Sequence, residues 1–230
     1  MTRSDNQDRE AVVLVHGLWM HGLVMEPMRW RLEQQHGYAV HAYSYPSVVE
    51  GLDANVDRLL AFLRGIRAPR VHLVGHSMGG VLVLRALARV PDAVQGRVVC
   101  LGAPLAGSGA AQALKRLRGG EAMLGKLIRE SLLQDPMTTY EGPRDVGVIA
   151  GDGGFGIGAM LNALESDALR PPHDGTVTVD ETRLPGIRDH IVLSVTHTWM
   201  LVSPEVAEQT VHFIKHGEFR RKLPPAERSR

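Results

Sequence analysis

Ser77 stands in Gly75-His76-Ser77-Met78-Gly79, between an apolar run, Val71-His72-Leu73-Val74, and a helix-like run from Gly80 to Leu87. A G-x-S-x-G turn takes a chain from strand to helix so sharply that the serine adopts a strained backbone with its hydroxyl exposed. Small residues on either side are a steric need in so tight a bend. The chemistry such a turn serves is nucleophilic attack on a carbonyl. The pentapeptide alone is weak evidence: ten serines and 25 glycines in 230 residues give about 0.12 chance matches, so the flanking strand and helix carry the weight. A tight βα turn with an idle serine is the plain alternative.

A serine hydroxyl needs a base at neutral pH, and the chain has 11 histidines. Where a nucleophile elbow is followed by acid and then histidine, the late candidates count: His173, His190, His197, His212 and His216. His190 opens a strand-like run at its amino end, the wrong edge of a sheet. His212 and His216 lie one turn apart on the terminal helix. His197 follows Ile191-Val192-Leu193-Ser194-Val195 at its carboxyl end and is the candidate base. The third group is a carboxylate that fixes the imidazole tautomer. Asp152 follows the run Val146 to Ala150 directly, whereas Asp174 stands in His173-Asp174-Gly175-Thr176-Val177, a glycine turn leading into a β-branched run. Asp174 is favoured because Asp152 lies in a glycine-rich connection. Asp152 stays as the alternative.

Negative charge develops on a carbonyl oxygen under attack, and two fixed backbone N–H groups lower that barrier. The expected donors are the amides of Leu18, in Val15-His16-Gly17-Leu18-Trp19, and of Met78, directly after the nucleophile. A ligand-free glycine turn is the alternative for the first. His16, His21, His76 and His173 with Asp174 invite a metal reading, but no H-E-x-x-H or paired-cysteine spacing exists. No metal or cofactor is expected.

These residues must be held by strands and helices. Strand-like runs fall at Ala11 to Val15, Tyr38 to Tyr45, Arg70 to Val74, Arg97 to Leu101, Val146 to Ala150 and His190 to Val195. Continuous apolar runs alternating with helices predict a mostly parallel sheet buried on both faces. A helix is expected over Met25 to Gln35, with Pro27 near its start and Gly37 past its end. Leu52, Val56, Leu59, Leu60 and Leu63 form the stripe of a second that stops at Gly65. Ser203-Pro204-Glu205 begins the last, which runs to Gly217. Between two strands, Ala110 to Tyr140 carries Met123, Leu124, Leu127, Ile128 and Leu132 at helical spacing. That face reads equally as a cap over the site or as a crossover helix packed on the sheet. Lys115, Arg116 and Arg118 before it read as a solvated face.

Composition narrows the classes. Hydrophobic residues make up 44% and charged residues 22%, as in a globular chain, and the formal charge of +1 gives no footprint for nucleic acid. One domain over 11–217 is expected, with a polar stretch 1–10 before it and a basic tail 218–230 after it. No apolar leader or span of about 18 residues is visible, so cytoplasmic residence is the default expectation. The single cysteine, Cys100, lies in an apolar run and reads as a buried thiol in a reducing compartment.

From about Ala11 to Gly217 the chain resembles small serine lipases and esterases of the α/β-hydrolase superfamily. It is similar to compact bacterial lipases and to the lipase-like domain of inositol-deacylating proteins. The resemblance rests on Val15-His16-Gly17-Leu18, Gly75 to Gly79, the run Gly102-Ala103-Pro104-Leu105-Ala106-Gly107-Ser108, Asp174-Gly175-Thr176-Val177 and Val195-Thr196-His197-Thr198. It implies an α/β-hydrolase fold with a small helical cap and the acid role for Asp174 over Asp152. The activity expected is hydrolysis of carboxylic esters through an acyl-enzyme, on a small-molecule ester that carries an acyl chain or is a lipid. A thioesterase or acyltransferase shares that step. A protein that keeps the pocket only to bind a small ligand is the non-enzymatic alternative, against which the intact set of Ser77, Asp174 and His197 argues.

Overall fold

The computed structural model describes residues 9–117, 119–154 and 169–221. The polar stretch before Arg9, Arg118, most of the glycine-rich run after Asp152, and the tail beyond Arg221 lie outside the described residues, as does the side chain of Met123.

Six strands, β1 (Ala11–Val15), β2 (Ala39–Tyr43), β3 (Val71–His76), β4 (Val98–Leu101), β5 (Val146–Gly151) and β6 (Asp189–Leu193), form one sheet in the order β2-β1-β3-β4-β5-β6. Every pairing is parallel. Because side chains alternate across a strand, each apolar run feeds two cores. Val13 and Val15 of β1 join Leu73 and Cys100 on one face, while Val12 and Leu14 join Val74 and Leu101 on the other. Helices α2 (Leu52–Arg64) and α3 (Met78–Arg89) cover the first face. Helix α1 (Glu26–Gln34) and the C-terminal helix Pro204–His216 cover the second. The inner strands β1, β3, β4 and β5 are covered on both faces, which explains their unbroken apolar runs, whereas β6 at the sheet's edge is only partly buried.

Helix ends follow local chemistry. Ser203 accepts the Val206 N–H at 3.4 Å ahead of Pro204, and Gly217, at φ +77, donates to Phe213 O at 2.8 Å to close the C-terminal helix. Two expected strands are shorter than their apolar runs. Tyr38, Ser44 and Tyr45 flank β2 outside its ladder, and Ser194 and Val195 turn away after β6.

The segment between β4 and β5 holds α4 (Gly109–Arg116), α5 (Gly120–Ile128) and a π-helical turn, Arg129–Gln134. Helix α5 is broken at Gly125 (φ 70, ψ 175), so the expected stripe is not one straight face. The C-terminal helix, Pro204–His216, is α6.

Candidate active site

The chain reverses direction across the sheet between β1 and β3, because β2 lies outside β1 and all later strands lie on the other side. In open parallel sheets a crevice forms at the carboxyl ends of strands flanking such a reversal. The turn after β1 carries Gly17 and Leu18, and the turn after β3 carries Ser77. A Cβ added to Gly17 would come within 3.0 Å of Ser77 Cβ, so the two turns touch.

Ser77 has φ 53 and ψ −125, a conformation that L-residues rarely adopt. Its N–H donates to Leu101 O at 2.9 Å, which ties the bend to the end of β4. The glycines are there for space. A Cβ on Gly75 would meet Gly80 N at 2.5 Å, and one on Gly79 would meet Val15 O at 2.2 Å. The bend thus hands Ser77 from β3 to α3 with Met78 as the first helical residue.

His197 follows β6 and Asp174 lies on a loop from a different part of the chain, yet the two are joined. His197 Nδ1 is 2.6 Å from Asp174 Oδ2, and His197 N–H donates to Asp174 O at 2.9 Å. Asp174 Oδ1 accepts the N–H groups of Thr176 and Val177 at 2.9 and 2.8 Å. A carboxylate has no proton to give, so the hydrogen of that 2.6 Å contact sits on Nδ1 and the neutral ring keeps its lone pair on Nε2. Asp174 is 1% exposed, and His197 is also buried. Asp152 is exposed, just past β5, and its N–H donates to Leu193 O at 3.1 Å. Glycine explains why the later aspartate takes the place over β5. A Cβ on Gly151 would lie 2.8 Å from Asp174 Cβ, and one on Gly102 (φ +54) would lie 2.9 Å from Asp174 Oδ2.

Of the other histidines, His190 is near the start of β6, bonded to Thr182 Oγ1 at 2.8 Å. His212 and His216 lie with tilted rings 4.5 Å apart on α6, away from the sheet's carboxyl edge. His173 accepts the Gly175 N–H at 3.1 Å. Among the described residues no three of His, Cys, Asp and Glu converge as metal ligands.

His16 and His76, weighed in sequence only as metal candidates, are two buried imidazoles at the site's base. His76 Nε2 donates to His197 O at 2.9 Å, and its ring lies 4.6 Å from that of His197. Burial, with the His197 ring beside it, pushes its pKa down to about 3, so it stays neutral. His16 accepts the Tyr45 N–H at 3.2 Å on Nε2, donates from Nδ1 to Gly17 O at 2.8 Å, and stacks on Tyr45. These bonds brace the turn that presents Leu18. Trp19, next in the turn, has φ 56 and is held by Ser47 Oγ on its N–H at 3.2 Å. The only hints in sequence were the positions of His16 and His76, each at the end of a strand.

Ser77, Met78, Leu18 and His197 open on a cavity of 260 Å³. Its walls are mostly apolar: Leu114, Leu124, Ile128 and Leu132 from the α4–α5 segment face Trp19 and Val177. Among the described residues no charged side chain lines it apart from what His197 gains on protonation. Leu127 is fully buried with α3 in the core and does not reach the cavity. The segment therefore lines the cavity and packs in the core at once, with Leu127 on the core side alone.

A parallel α/β sheet with a serine on a strained strand-to-helix bend, and an Asp–His pair over the same edge, defines the α/β-hydrolase class. The chain belongs to the Alpha/beta hydrolase family, whose sequence pattern matches residues 12–210. A protein of Pantoea ananatis (strain LMG 20103) named as a carbamate hydrolase, RutD, is 34% identical over 105 residues. That stretch is 42% of this chain and only 38% of the relative's length. In fold, the chain is similar to the mature lipase BlEst2 of Bacillus licheniformis, with a TM-score of 0.67 and 21% identity over 91% of this chain and 92% of that one. Polyneuridine aldehyde esterase is similar too, with a TM-score of 0.60 and 14% identity over 90% and 99% of the two chains. At these identities the likeness speaks of the fold alone.

Proposed function

We propose that the protein is a carboxylic ester hydrolase that works through an acyl-enzyme on Ser77. The observation that carries this reading is the buried His197–Asp174 pair at 2.6 Å, opening on one cavity with a serine held at φ 53. In this reading His197 Nε2 takes the Ser77 proton as Oγ bonds to the ester carbonyl carbon. The resulting imidazolium is stabilised by Asp174, whose other oxygen is already committed to two amides. The amides of Leu18 and Met78 receive the oxyanion, each worth about 3 kcal/mol if it behaves as such donors do elsewhere. His197 then protonates the departing alkoxide. Water, activated by the same imidazole, releases the acid and returns Ser77.

The apolar walls favour an ester with an uncharged hydrocarbon acyl group. Carbamate cleavage, the activity in the RutD name, would use the same attack, but a small polar carbamate would leave those walls unfilled. One domain over 11–217, in a reducing compartment that suits the free, buried thiol of Cys100, completes the proposal.

Reaction with a fluorophosphonate tests the nucleophile, because only an activated serine is phosphonylated. Ser77→Ala should abolish labelling and ester turnover with the fold retained. Asp174→Asn should lower kcat by about 10⁴-fold, as loss of the same orienting carboxylate does in serine proteases, and Asp152→Asn should be near neutral. Full labelling of Ser77→Ala, or the reverse ranking of the two aspartates, would refute these assignments.

A further inference from the structure

Two walls of the cavity come from segments far apart in sequence. Ala110, Ala111 and Leu114 belong to α4, and Thr176 and Val177 belong to the loop that carries Asp174. Glu181, which does not line the cavity, lies between them. Its Oε1 accepts the N–H of Gly109, the first residue of α4, and its Oε2 accepts the Thr178 N–H at 2.8 Å. Its own N–H donates to Thr178 Oγ1 at 3.2 Å, and its carbonyl accepts the Ala106 N–H at 2.9 Å. One residue thus grips the approach to α4 and the far side of the acid loop with both side chain and main chain. Negative charge at the start of a helix adds to the hold.

The acid itself does not need this grip. Asp174 closes its own turn, through Thr176 and Val177 on Oδ1 and through its N–H to Val177 O at 3.0 Å. Loosening Glu181 therefore frees the α4 wall without unseating the Asp174–His197 pair. A short acyl group stays close to Ser77, and only a longer one extends to α4.

We propose that Glu181 is a positioning residue that sets acyl specificity: it locks the start of α4 to the Asp174 loop and so fixes the width of the acyl cavity. The inference rests on the ester-hydrolase reading of that cavity.

Two variants break the lock from opposite sides. Glu181→Gln keeps the size but offers one acceptor where two N–H groups need one each. Gly109→Pro removes a donor at the first helical position, where proline is tolerated, and Ser108 before it already has the extended φ −148 and ψ 113 that a following proline demands. Steady-state kinetics with p-nitrophenyl acetate and p-nitrophenyl decanoate read the outcome. A wall that forfeits the burial of about two methylenes raises the decanoate KM about tenfold, with acetate KM and kcat within about twofold of wild type. Amide exchange over residues 110–117 should be at least about tenfold faster in both variants. An unchanged decanoate KM, or equal losses on both esters, overturns the proposal. Should Glu181→Gln fail to fold, Gly109→Pro decides alone. If wild type neither reacts with fluorophosphonate nor cleaves either ester, the hydrolase reading falls, and exchange still judges the lock: unaltered protection of α4 overturns it.

Discussion

Ser77 shows what one residue gives up to stand at the apex of a strand-to-helix bend. Its φ of 53 is a conformation that glycine adopts freely and that costs another residue about 1–3 kcal/mol. Ser77→Gly should therefore remove all labelling and yet stabilise the fold by about 1 kcal/mol, raising Tm by about 2–4 °C for a chain of this size. A melting temperature at or below that of wild type would mean that the bend is not strained. Ser77 was legible in sequence because its demands are local: the glycines that clear Gly80 and Val15 lie within five residues. Asp174 was favoured in sequence only because Asp152 lies in a glycine-rich run, and the packing that admits it was not legible. Asp152 holds the obvious place after β5, and what admits Asp174 instead is the missing side chain of Gly151 and of Gly102, a packing fact between distant segments. Glu181 left no trace at all, since its partners are main-chain amides that every residue type supplies.

At the scale of elements, the apolar runs predicted all six strands, most sharply β1, β3, β4 and β5, because a strand buried on both faces must be apolar throughout. Their ends were blurred where the apolar run outlasts the ladder, as at Tyr45, whose ring is buried although its backbone bonds to His16. The α4–α5 segment shows the limit of periodicity. Spacing placed Leu127 and Ile128 on one face, but the break at Gly125 and the π-helical turn that follows rotate the stripe so that its members part company. Leu127 is core, so Leu127→Ala should cost about 2–5 kcal/mol of stability with chain-length preference unchanged among molecules that fold. Ile128 and Leu124 face the cavity, so Ile128→Ala should flatten the rise of kcat/KM with acyl length at a much smaller cost in stability. Urea melts and an ester series check both, and an equal effect of the two substitutions on chain-length preference would contradict the division.

Across the whole molecule, buried histidines set the response to acid. Burial lowers the pKa of His16, His72, His76 and His190, the last to about 4 and His76 to about 3, against 6.5 in a free chain. The unfolded chain therefore takes up protons that the folded chain refuses, and stability falls as pH drops below 6.5. His76 alone removes about 2 kcal/mol by pH 5. Glu181 acts with the opposite sign, because burial raises its carboxyl above the usual 4.5 and the folded chain binds that proton first, which offsets part of the loss. Unfolding free energies at pH 7 and pH 5 test the balance, and equal values would show that these rings are protonated in the fold. The order of the strands matters in another way. His197 hangs behind β6, an edge strand paired only with β5, and it is encoded long after Ser77. During synthesis Ser77 is made 120 residues before His197, so on the proposed reading the growing polypeptide carries the serine before it carries the base. On the proposed hydrolase reading such a chain is inactive until β6 docks on β5 and brings His197 over the sheet edge.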